Sequence, residues 1–231
     1  MAMTTNTQGK SGQAPSHAHT GPGRIFIQVG AGAGDQDSRS EFRDGFTEAV
    51  KKLGLAPRDR IILVEPNPLN TAALKKCWAD YPQASIHQVG IVPRNMAGKP
   101  LTFYYTDLDA PHFQVASFNP DHVLKHYRDL SRSDLRTIEV GTVDLNAFID
   151  KETQGRNIEV LCLDIEGLDA EVLLDTNFEQ MNVNFVSFEH LHLGSSANAV
   201  ASHFEKSGYR KIGLGIDHNG YDHLYQKVTS P

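Results

Sequence analysis

Four side chains able to hold a cation or move a proton fall just beyond two apolar runs. Asp164 and Glu166 follow residues 158–163, and Glu189 and His190 follow residues 183–188. If the runs are neighbouring parallel strands, their carboxyl ends open on one crevice, where ligands of such sheets bind. Two uses suit the set. Group transfer to an oxygen needs the hydroxyl deprotonated as it attacks, and a carboxylate or an imidazole can take that proton. Asp164, Glu189 and His190 can instead hold a hard divalent cation such as Mg2+, which lowers a hydroxyl pKa. A plainer use competes with both: Glu166 and Asp169 cap the helix that follows, which is favourable at its N-terminus. His192 alternates with His190, so one of the two is expected to face the crevice.

The second chemical feature lies near the start. Residues 25–29 run into Gly30, Gly32 and Gly34, then Asp35, and a second apolar run ends on Glu65. Glycines at a strand end let a ligand approach the backbone, where a Cβ would block it. A carboxylate at the next strand tip can accept hydrogen bonds from ribose hydroxyls. The dinucleotide fingerprint needs its third glycine where Asp35 stands, and an acid beside a pyrophosphate is costly. Glu65 also follows Gly30 by 35 residues, against about 20 in that fingerprint. S-adenosylmethionine has no phosphate and carries a cationic sulfonium, so an acid-flanked glycine loop suits it better. The plain alternative is a tight corner and nothing more.

Short apolar runs alternating with helical patterns must position these groups, which predicts a mainly parallel sheet with helices on both faces. Phe42, Phe46, Ala49, Val50 and Leu53 share a helical face that stops at Gly54. Residues 61–64 and 85–89 read as strands. Between them, Asn67 reads as an N-cap with Pro68 at the first helical position, and Ala73, Leu74, Cys77 and Trp78 face inward. Residues 101–105 alternate, 107–120 read as a loop, 121–130 as a helix carrying His122 and His126, and 138–143 as a strand. The run 158–163 is a buried central strand, and 195–206 a helix. Asp217 to Gly220 carries the Asn-Gly hairpin signal, so the sheet is expected to end in an antiparallel hairpin. Residues 1–23 lack apolar periodicity and read as a disordered tail, in which His17 and His19 are simply solvated. Residues 24–231 read as a single domain.

Composition narrows the partners. The chain has 231 residues and a formal charge of −6, and its Lys51-Lys52 and Lys75-Lys76 pairs read as solvated helical faces. Neither nucleic acid nor a membrane is expected to bind. Cys77 and Cys162 have no metal-ligand spacing and suggest no disulfide framework, which favours a reducing compartment. No apolar run reaches the ~18–20 residues that span a bilayer, and no signal-peptide order opens the chain. A cytoplasmic protein is expected.

Glu65-Pro66-Asn67-Pro68, the run Leu161-Cys162-Leu163-Asp164-Ile165-Glu166-Gly167, Phe188-Glu189 and Gly208-Tyr209 together resemble the FkbM-type family of S-adenosylmethionine-dependent methyltransferases. A shifted form of the family's V-x-L-D segment stands at Val143-Asp144-Leu145. The resemblance covers residues 25–228. It implies a class I methyltransferase (Rossmann-like) α/β fold, with a seven-stranded, mainly parallel sheet ending in an antiparallel hairpin. It further implies methyl transfer to a hydroxyl of a small-molecule or glycan acceptor. Gly30, Gly32, Gly34 and Asp35 would then surround the amino-acid portion of the cofactor and Glu65 its ribose. Asp164, Glu166, Glu189 and His190 would serve catalysis, under a lid formed by residues 101–133. Three positions depart from the family pattern: Gln28 stands for an acid, Gly32 for an asparagine and Cys162 for a lysine. A nicotinamide-dependent oxidoreductase and a non-catalytic binder of S-adenosylmethionine are the rival readings.

Overall fold

The computed structural model describes residues 23–36, 44–111, 113–216 and 220–228. The expected tail before Gly23, Phe42, and the Asp217 to Asn219 part of the hairpin turn lie outside these residues. Strand β1 (Ile25–Val29) is buried along its whole length. In chain order follow α1 (Gly45–Lys52), β2 (Arg60–Val64), α2 (Thr71–Cys77), β3 (Ala84–His87), β4 (Gly90–Ile91) and β5 (Leu101–Tyr105). Then come α3 (Pro120–Lys125), β6 (Arg136–Val140), β7 (Thr142–Val143), α4 (Leu145–Thr153), β8 (Ile158–Leu163) and α5 (Asp169–Asp175). The chain closes with β9 (Val183–Glu189), α6 (Ala197–Lys206), β10 (Tyr209–Leu214) and β11 (Asp222–Lys227).

Seven strands form one sheet in the order β10-β11-β9-β8-β1-β2-β3. The five from β9 to β3 run parallel, while β11 pairs antiparallel with β9 and β10 antiparallel with β11. This is the doubly wound, hairpin-ended sheet expected from the sequence. Its two apolar faces follow from the strand period of two. Ile25, Ile27 and Val29 of β1 pack with Phe148 of α4, Leu173 of α5 and Phe204 of α6. Phe26 points the other way and packs with Phe46 of α1 and Leu74 of α2. Strand order reverses on either side of β1, so the crevice opens between the tips of β1 and β8. Among the described residues no helix is long and apolar enough to cross a membrane.

The middle of the chain departs most from the periodicity. The expected strand at 138–143 breaks at Gly141: β6 pairs antiparallel with β5, and β7 pairs with β4. The helix expected over 121–130 is shorter, with Asn119 capping the Asp121 amide and Pro120 in the first turn. Residues 113–118 return across the β5–β6 ribbon, where Ser117 exchanges backbone hydrogen bonds with Tyr104. Phe103, Ala116 and Val140 give this subassembly an apolar cluster of its own, separate from the two sheet faces. The second helix also starts later than expected. Asn67 Oδ1 accepts from the Leu69 amide, and the turn so made brings Asn67 and Asn70 back onto Glu65, delaying α2 until Thr71.

Candidate active site

Gly30 lies where β1 meets β8, with φ of +81°, and a Cβ there would collide with the Asp164 carbonyl oxygen. Only glycine permits this approach. The Gly30 and Ala31 amides both donate to Val64 O, at 2.9 and 3.0 Å, so the loop is tied to the tip of β2. Gly32, at φ +53°, has no atom within 4 Å of a would-be Cβ; its open side faces the crevice. At Gly34 a Cβ would stand 2.8 Å from Cys77 Sγ, so this glycine lets the loop pack against α2.

The crevice has two lobes that share Gly30, Gly32, Gln114, Asp164 and Glu166. One is walled by Glu65, Ile91, Phe103, Phe113 and Phe118. The other is walled by Gln28, Asp44, Cys162, Glu189 and Asp222. Both lobes open to solvent, and the second is the larger of the two.

In the first lobe Glu65 is buried. Its Oε2 accepts from the Gly32 amide at 2.7 Å, and its Oε1 accepts from the Asn67 amide at 2.9 Å and Asn70 Nδ2 at 3.3 Å. Burial outweighs these donors and pushes its pKa up to about 7. Glu65 lines the crevice and also fastens the glycine loop.

The second lobe is acidic. Gln28 is buried and gives Nε2 to Asp44 Oδ1 at 2.8 Å, while its Oε1 has no partner. Asp44 also caps α1, accepting from the Thr47 amide at 2.9 Å and from the Thr47 hydroxyl. Asp164 is exposed to the solvent in the crevice yet sits deep between its walls. That enclosure, and then the carboxylates of Glu166, Asp169, Glu189 and Asp222, hold its pKa well above the usual range. Glu189 reaches about 8, chiefly through burial, with Glu166 and Asp169 adding to it. Cys162 forms part of the floor, its thiol pKa raised by burial. It is neutral.

The turn after β8 divides its acids cleanly. Asp169 Oδ1 accepts from the Ile165 amide at 2.9 Å, and Oδ2 from the Gly167 amide at 3.4 Å. The stitching role therefore belongs to Asp169. Glu166 is left for the crevice, held at a left-handed φ of +53°. Its Oε2 lies 2.6 Å from His122 Nε2, and its carbonyl accepts from Ser117 Oγ at 2.5 Å. Burial sets the Glu166 pKa at about 7 despite the nearby Lys125 ammonium. Residues 113–118 thus line the crevice, and α3 reaches it through the contact of His122 with Glu166.

Two expected site residues fall elsewhere. Asp35 is exposed and lines neither lobe; its Oδ1 accepts from the Asp44 amide at 3.2 Å. His190 lies beside Phe188, Val200 and Lys211 in a separate depression, stacked on His223 at 3.9 Å. The expected cation set of Asp164, Glu189 and His190 is therefore not assembled. The reason is the strand period: Glu189 faces the crevice, so its neighbour His190 points away. His192 stands on the crevice side instead, its Nε2 3.7 Å from Glu189 Oε1. Sequence reasoning missed Asp44, Asp222, Gln114 and His122. An N-cap pattern, Asp44 before Thr47, was the available signal for the first.

Residues 28–211 match the family model described as the methyltransferase FkbM domain. No curated protein sequence matches the chain. Among solved structures, the chain is similar to precorrin-6y C5,15-methyltransferase from Geobacter metallireducens, at 10% identity and a TM-score of 0.43, over 91% of this chain and 84% of that one. It is also similar to Aeropyrum pernix fibrillarin in complex with S-adenosyl-L-methionine, at 10% identity and 0.41, over 89% and 65% of the two chains. The fibrillarin pre-rRNA processing protein of Methanococcus jannaschii aligns at 9% identity and 0.42, over 89% and 67%.

Proposed function

Because the chain belongs to the methyltransferase FkbM domain family, we propose that it uses S-adenosylmethionine to methylate a hydroxyl of a small-molecule or glycan acceptor. The observation that carries the cofactor is Gln28 Oε1, a buried acceptor with no partner. It lines a lobe shared with Asp44, Asp164, Glu189 and Asp222. An unpaired buried acceptor is costly, and a ligand bearing an ammonium and a sulfonium satisfies both it and the surrounding acids. The same acids disfavour a pyrophosphate, which now argues against the nicotinamide reading in place of Asp35.

Gln28, Gly32 and the acids of the second lobe would hold the amino-acid portion. Glu65 would take the ribose through Oε2, which accepts from the Gly32 amide alone and keeps a second lone pair. Ile91, Phe103, Phe113 and Phe118 offer flat apolar walls to a purine. When bound, the cofactor supplies an electrophilic methyl group. Glu166 stands where the lobes meet and takes the proton of the acceptor hydroxyl. A pKa of about 7 suits a base working near neutrality. Its partner His122 fixes the carboxylate, and that histidine is kept neutral by burial, its pKa lowered to about 4. Cys162 contributes no charge where the family pattern has lysine, so proton removal rests on the carboxylates. That same neutral thiol is what favours the second reading, binding without turnover.

Calorimetry with S-adenosylhomocysteine and NAD tests the cofactor; tighter NAD binding overturns it. Turnover on a panel of hydroxyl compounds with methyl-labelled cofactor tests the reaction. Glu166→Gln should keep S-adenosylhomocysteine affinity within a few-fold and slow transfer about 10²-fold or more. Binding with no transfer to any acceptor would establish the second reading.

A further inference from the structure

Beside the crevice, three imidazoles from two segments meet a carboxylate from a third. His122 and His126 stand one turn apart, His122 within α3 and His126 as its C-terminal cap, a spacing that puts both on one face. His192 follows β9, and Glu166 follows β8. The rings lie 5.2 Å apart for His122 and His126, 4.9 Å for His122 and His192, and 5.8 Å for His126 and His192. One donor atom from each of the four residues falls within 4.8 Å of all the others. A tetrahedral zinc site with bonds of about 2.0–2.1 Å separates its donors by about 3.3 Å, so modest side-chain shifts suffice. His122 and Glu166 are already closer than that, at 2.6 Å.

We infer that His122, His126, His192 and Glu166 form a binding site for a divalent transition metal ion, zinc being the best match. Three imidazoles and one carboxylate suit Zn2+ or Co2+, whereas Mg2+ takes oxygen ligands. The geometry also names a competitor. Lys125 Nζ lies 2.9 Å from His192 Nδ1, a bond in which the ammonium donates to the ring. Metal on Nδ1 takes that lone pair directly, and metal on Nε2 moves the ring proton to Nδ1. Either way Lys125 must leave, so lysine and metal exclude each other at His192. This inference concerns binding alone and stands whether or not the chain transfers methyl groups.

The full-length protein, stripped with chelator, would be titrated with Zn2+ against a chromophoric chelator and with Co2+ by visible absorption. One equivalent should bind with micromolar affinity or tighter, raise the melting temperature, and give the intense Co2+ bands of a tetrahedral nitrogen-rich site. His126→Ala and His192→Ala, both at partly exposed positions, should each weaken Zn2+ binding by about tenfold or more. Lys125→Met should tighten it several-fold, which loss of a merely structural contact would not do. Mg2+ should not compete. Absence of Zn2+ binding by the wild type overturns the inference, as does Zn2+ binding that survives in the double variant His126→Ala, His192→Ala and so resides on other histidines.

Discussion

At the scale of single residues, the crevice distinguishes acids that hold structure from acids left for chemistry. Glu65 does both. Glu65→Ala should weaken S-adenosylhomocysteine binding by about 1.5–3 kcal/mol, the range for hydrogen bonds to a charged group, as calorimetry above pH 7 would show. Asp164 behaves differently. Enclosure and then the neighbouring carboxylates raise its pKa, and it stands among the acids that would meet the cationic end of the cofactor. Asp164→Asn should therefore weaken S-adenosylmethionine binding several-fold and leave turnover at saturation within a few-fold, whereas Glu166→Gln should slow turnover; steady-state kinetics of the two variants separate the roles. The sequence revealed Glu65, Asp164, Glu166 and Glu189 because each ends or follows an apolar run. It misplaced His190 for a physical reason, since consecutive residues on a strand face opposite sides. Asp44 escaped notice because its place in the crevice depends on a buried partner, Gln28, sixteen residues away.

At the scale of elements, strands buried in the main sheet were legible and those of the β5–β6 ribbon were not. β1, β8 and β9 are short runs in which apolar residues predominate, interrupted inside by Gln28, Glu159, Asn184 and Ser187. The β5–β6 ribbon and α3 are held by pairings that periodicity does not encode, such as Ser117 with Tyr104 and His122 with Glu166. Two glycines measure how tightly α3 is seated. Gly54, after α1, has φ of +66° and open space around a would-be Cβ, whereas Gly167 has φ of +96° and a Cβ there would strike the His122 ring. Gly54→Ala should cost about 1 kcal/mol from backbone strain alone. Gly167→Ala adds a collision to comparable strain and should cost about 2 kcal/mol or more, with α3 pushed off the turn. Urea denaturation of the two variants gives the difference. Equal losses would mean that α3 yields without resistance.

At the scale of the whole molecule, the crevice makes stability depend on pH. Glu65 and Glu189 have folded pKa values of about 7 and about 8, against an ordinary 4.5. The folded state therefore holds protons that the unfolded state has lost, and stability falls as pH rises towards 8. Histidines whose pKa is lowered by desolvation oppose this at lower pH. His122, His192 and His223 titrate near 4 when folded, against 6.5, so their contribution to stability grows between about pH 4 and 6.5. Above 6.5 these histidines are neutral in both states, and the raised carboxylates remain. With chelator present, the melting temperature should decline from pH 6.5 to 8.5, by about 2–4 °C for each kcal/mol lost. S-adenosylmethionine, as a cation, should flatten that decline; a flat or rising profile without ligand would show that these acids are better solvated than their surroundings indicate. Glu166 carries a last consequence, because it belongs both to the crevice and to the imidazole group. One lone pair cannot serve an arriving proton and a bound ion together. Zinc loading and methyl transfer are thus rival claims on the same oxygen atoms, and the chain is built as a logical either-or: rising free zinc should silence turnover, and chelation should restore it.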